Sequence, residues 1–150
     1  MRISPSLVVL AAILAAAGVI STGLLVLSPS RTLLVSAGFD RAAITPNADG
    51  SDDVTNFAFE LSRPAFVTLA LTDTDGAVFS IRTNQRTPTG DFALAFSGVV
   101  DGYVLAGETF EAEVARRLIP DGTYTWTLSA EAVEGEESGQ FEGMLTVSGS

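Results

Sequence analysis

Asn47, Asp49, Asp52 and Asp53 fall within seven consecutive residues around Gly50 and make the densest cluster of oxygen donors in the chain. Carboxylate and amide oxygens are the hard ligands that Ca²⁺ takes, and glycine permits the tight curvature of a chelating loop. An EF-hand loop is excluded, because its bidentate Glu would have to stand where Ala58 stands, counting from Asn47. Asn, Asp and Gly are also turn formers whose side chains bond nearby backbone amides. Two readings follow. Either Asn47, Asp49, Asp52 and Asp53 hold Ca²⁺, helped by Asp73 and Asp75 if the fold brings their turn close, or they form the bend from which a strand departs at Thr55.

Other chemistry is limited by what the chain lacks. With no Cys and no His, it has no thiol nucleophile, no Ser-His triad and no His- or Cys-ligated zinc, and an enzyme is not expected. Glu111 with Glu113, and Glu134 with Glu136 and Glu137, read as solvated acids on an exposed face and a hairpin tip. A carboxylate pair that cleaves glycosides needs a cleft and a raised pKa, and the sequence indicates neither. From Asp40 onward six arginines stand against all 18 acids, a net −12. Nucleic acid is therefore excluded as a partner, since phosphate binding needs clustered cations, and cations are the plausible guests.

These residues need positioning. The first element is Leu7–Leu27, an almost unbroken apolar run behind Arg2; as a helix it would reach about 31 Å, the thickness of a bilayer core. Residues 1–27 are expected to be a transmembrane anchor, with signal-peptide cleavage after Ala15-Ala16-Ala17 as the alternative, in which case the remainder is secreted. Either way residues 28–150 lie outside the cytoplasm. Residues 28–42, containing Pro29, read as a stalk with a short strand at Thr32–Val35. The missing Glu near the start of the helix argues against a pilin.

Beyond the stalk the period is two. Phe57, Phe59 and Leu61 alternate with small or polar residues, as do Val67, Leu69 and Leu71, then Phe92, Leu94 and Phe96, then Tyr124, Trp126 and Leu128, and finally Phe141, Leu145 and Val147. Turn formers separate the runs, at Ser62-Arg63-Pro64, Asp73–Gly76, Thr87–Gly90, Pro120-Asp121-Gly122 and Glu134-Gly135. An all-β domain over residues 43–150 is expected, an antiparallel β-sandwich with the apolar faces packed together. Gly98–Arg117 fits neither period cleanly: Phe110, Val114 and Leu118 recur at four and Glu113 would pair with Arg117 on a helix, yet Phe110, Ala112 and Val114 also alternate. Leu118, Pro120 and Tyr124 have the spacing of a tyrosine corner, which makes Tyr124 and Pro120 structural, and Trp126 on the same face reads as core.

Taken in order, Thr45-Pro46-Asn47-Ala48-Asp49-Gly50-Ser51-Asp52-Asp53, then "SRPAFVTLALTDTDGAVF", then Phe96-Ser97-Gly98, then Asp121-Gly122-Thr123-Tyr124 resemble the bacterial FlgD-like immunoglobulin-like domain. The likeness covers about residues 43 to 133. Ala48 stands for the usual Gly, Phe96 for the usual Trp, and the Gly98–Arg117 excursion is longer than usual. The resemblance implies an immunoglobulin-like sandwich of the kind found in the flagellar hook-capping protein and in surface-anchored proteins. With the anchor, it implies a non-enzymatic extracytoplasmic module that contacts an unidentified envelope or surface protein or spaces one from the membrane. The alternative is a Ca²⁺-dependent adhesion module using the Asn47–Asp53 loop.

Overall fold

The structure, a computed structural model, describes residues 31–105, 107–109, 112–113 and 115–149. The expected anchor at 1–27 lies outside the described residues, as do Phe110, Glu111 and Val114 of the excursion. Among the described residues no helix is long and apolar enough to cross a membrane.

The alternating runs become strands because each places its large apolar residues on one face. β3 (Thr55–Leu61), β4 (Ala65–Thr72) and β9 (Gly122–Ala132) bury every second side chain. Around them lie β1 (Leu34–Phe39), β2 (Ala43–Ile44), β5 (Val78–Thr87), β6 (Gly90–Phe96), β7 (Val99–Asp101), β8 (Arg116–Leu118) and β10 (Ser138–Val147). They form a three-stranded sheet in the order β1-β3-β6, a five-stranded sheet in the order β2-β10-β9-β4-β5, and a two-stranded ribbon of β7 and β8.

The larger sheet is mixed, not purely antiparallel as expected, because β2 runs parallel to β10, pairing Ala43 with Thr146 and Ile44 with Val147. The other pairings are antiparallel.

The inner faces of the two sheets share one core. Trp126 of β9 meets Phe57 of β3 edge-on at 5.1 Å between ring centres and Phe39 of β1 at 6.2 Å, while Phe59 stacks on Phe92 at 5.3 Å. Edge-to-face contact suits the ring quadrupole, so these aromatics set the spacing of the layers. Trp126 fits because its cross-strand neighbour is Gly143; a Cβ there would sit 2.6 Å from the indole. Phe141, expected inside with Leu145 and Val147, remains 37% exposed while those two are buried.

The segment expected as a stalk needs correction. Leu33 and Leu34 are core residues, and β1 pairs with β3 through Ala37–Phe59 and Phe39–Phe57, so the sheets begin well before residue 43. Ser36 and Gly38 hide this from a search for alternation. Glu137, expected as a solvated hairpin acid, accepts the Leu33 N–H at 2.9 Å and pairs with Arg63.

Candidate functional site

The loop between β2 and β3 contains all four candidate ligands, and its hydrogen bonds show what they do. Asp53 Oδ1 accepts the N–H groups of Asn47 at 3.0 Å and Ala48 at 2.8 Å, and its Oδ2 accepts that of Gly50 at 2.7 Å. Asn47 Oδ1 accepts the Asp49 N–H at 3.0 Å, and Asp49 Oδ1 the Ser51 N–H at 2.8 Å. Asp52 pairs with Arg41. Ala48 and Asp52, like Gly50, take positive φ values of 61°, 56° and 84°, so the chain coils tightly enough to turn its amides toward the Asp53 carboxylate.

Both Asp53 oxygens are therefore taken up by backbone amides. Asp73 does the same in its own turn, where Oδ1 accepts the N–H of Asp75 at 2.9 Å and of Ala77 at 2.8 Å. No group of three or more acids is arranged to hold a metal among the described residues. The donor geometry favours a capped bend over a chelating loop. Calorimetric titration of the chain with Ca²⁺ is expected to give the same flat trace for the wild type and for Asp49→Ala with Asp52→Ala; a saturable heat lost in the double variant would reverse this.

Two supports of the bend had no signature in the sequence. Asp40 accepts the Thr55 hydroxyl at 2.6 Å, the Asn56 N–H at 2.9 Å and the Asn56 side-chain amide at 3.2 Å, tying the end of β1 to the start of β3. The Thr55 bond, reinforced by those of Asn56, lowers the Asp40 pKa from 3.8 to about 2. The folded pKa is depressed, so this contribution is complete above the unfolded value near 4 and lost as pH falls through about 2. Asp40→Asn is expected to flatten the acid limb of the stability curve between about pH 4 and 2, and denaturant midpoints at stepped pH check it. The second support is Gly98, at φ 79°, where an added Cβ would lie 3.1 Å from Pro46. A side chain there would push the ribbon off the loop.

The tyrosine corner is present. Tyr124 is buried, and its hydroxyl donates to the Pro120 carbonyl at 2.5 Å; burial pushes its pKa up to about 12, with Asp73, Tyr103 and Asp121 adding to the effect. Trp126 is core, as expected. Tyr124→Phe leaves the Pro120 carbonyl without that donor and is expected to lower the unfolding free energy by about 1–3 kcal/mol, read from urea unfolding.

The Gly98–Arg117 excursion is a β-ribbon and not a helix at its described ends. Arg117 pairs with Glu108, not Glu113, through two bonds of 2.5 and 2.8 Å, and its guanidinium lies 4.8 Å from the centre of the Tyr103 ring. The Arg117 bonds, joined by the Leu105 N–H, lower the Glu108 pKa from 4.5 to about 2. Tyr103 meets Phe79 edge-on at 4.9 Å, and its hydroxyl donates to the Leu118 carbonyl, which fastens the ribbon to β5. Between ribbon and bend lies a shallow cavity of 310 Å³ lined by Pro46, Ala48, Asp53, Ser97, Val99 and Leu118. Among its described lining residues Asp53 is the only acid, and the loop amides hold its carboxylate.

No protein-family model matches the chain, and no curated protein matches it.

Proposed function

We propose that this chain is a non-enzymatic, membrane-anchored, extracytoplasmic immunoglobulin-like module that works by protein contact or by spacing at the cell surface. The observation that carries the reading is the strand order. The first extended segment is divided between the sheets, with β1 beside β3 and β2 beside β10, and the strand that opens at Gly122 carries a tyrosine bonded to the corner before it. Paired sheets joined by such a corner suit an immunoglobulin-like sandwich. The apolar Leu7–Leu27 run supports the anchor, and the absence of Cys and His from the sequence supports a role without catalysis.

The acids around the bend hold backbone in place, leaving loops and strand edges as the surfaces that meet other molecules. Fold alone does not assign function, so the test must be made in the envelope. A reporter fused after Ser150 should be active only outside the cytoplasm, and cross-linking of the full chain in intact cells should yield a discrete envelope-protein adduct. Reporter activity in the cytosol, or no adduct from any exposed loop or edge, would overturn the reading.

A further inference from the structure

We propose that the free edge of β6 takes up an extended, acidic segment of a partner protein as an added strand. The proposal rests on the contact-module reading and names where the contact is made. Of the sheet edges, β1 has a register break between Leu34 and Ser36, β2 has only two residues, and β5 is irregular against β4, with Asn84 at φ 44°. Breaks of this kind blunt an edge against pairing, and the ribbon packed beside β5 adds cover there. β6 lacks such protection. It pairs with β3 in unbroken register from Gly90 to Phe96, and among the described residues no strand lies on its other side.

The side chains point to the same edge. Phe92 and Leu94 face the core yet stay half-buried, because the sandwich is open between the β6 and β5 edges. That opening is a groove of 190 Å³ whose lining includes Ile81, Leu94 and Phe96 with Arg82, Gln85 and Arg116. Neither Arg82 nor Arg116 forms an ion pair among the described residues. In a chain of net charge −10, two uncommitted arginines beside an unpaired strand edge select the occupant: backbone amides for the edge, apolar side chains for Phe92 and Leu94, and carboxylates for the guanidinium groups.

The probe is a fluorescent peptide of alternating Glu and Val, titrated against the full-length chain in detergent, with an alternating Lys and Val peptide, a sulfated polysaccharide and anionic vesicles as comparisons. The Glu-Val peptide should bind, slow the amide exchange of β6, and lose about tenfold in affinity to Arg82→Gln with Arg116→Gln. N-methylation along one of its two edges should abolish binding while methylation along the other is tolerated. Arg116 is exposed and Arg82 half-buried, and an unchanged melting temperature shows that the double variant folds. No saturable binding, equal binding of the Lys-Val peptide, indifference to N-methylation of either edge, or arginine-dependent binding of the polysaccharide or vesicles in place of the peptide would each overturn the proposal. If the peptide fails while the envelope adduct persists, the contact-module reading stands and this edge is not its site.

Discussion

Deleting residues 32–42 from the otherwise intact chain is expected to abolish the cooperative unfolding transition. The deletion removes Leu33 and Leu34, which are 1% and 4% exposed, and Phe39, which packs against Phe57 at 4.8 Å and against Trp126. Fully burying a large apolar side chain stabilises by about 1.5–3 kcal/mol, so the two buried leucines and the half-buried Phe39 together amount to roughly 4–8 kcal/mol. A domain of this size is stable by only about 5–15 kcal/mol. The Asp40 bonds to Thr55 and Asn56 go too, and β3 becomes an unprotected edge. Thermal melting monitored by near-ultraviolet circular dichroism checks this; a midpoint within about 4 °C of the wild type would mean that the segment is a stalk after all.

Phe57→Ala carries the second large effect. Phe57 is fully buried and meets Phe39, Phe59 and Trp126 at 4.8, 6.2 and 5.1 Å, so its ring touches both layers. Truncation leaves a cavity that the strands cannot close without losing register, at a cost of about 3–5 kcal/mol. Phe57→Leu keeps most of the volume and should cost less than about 1.5 kcal/mol, provided the neighbours repack. Val78→Ala on the exposed face, where Val78 is 62% exposed, should stay within about 0.5 kcal/mol. Urea midpoints at constant slope separate these outcomes, and equal losses at Phe57 and Val78 would mean that the two sheets do not share a core.

The contrast between these residues explains what was legible in the sequence. Phe57, Val67 and Trp126 announce themselves because their runs alternate without interruption and end in turn formers. Tyr124 was legible because the corner is local: its acceptor, Pro120, is four residues away. β1 was legible only at its start, in the short strand expected at Thr32–Val35, since Ser36 and Gly38 break its pattern and its partner lies across a loop. The Gly143 position on β10 reads as a gap in the alternation until the Trp126 ring is seen to fill it. Likewise the choice of Glu108 over Glu113 by Arg117 depends on a ribbon whose pairing is set by contacts with β5 and Tyr103. The acidic bend shows the limit most clearly. Its composition fits a ligand shell and a capped turn equally, and only the direction of the Asn47, Ala48 and Gly50 amides separates them.

The functional reading rests on the division of the first extended segment between the two sheets, and nuclear Overhauser contacts test that division directly. Backbone contacts should join Ala37 to Phe59 and, in the same sample, Ala43 to Thr146 in the parallel sense. Contacts from residues 34–44 to one sheet only, or random-coil shifts with rapid amide exchange over those residues, would contradict the account.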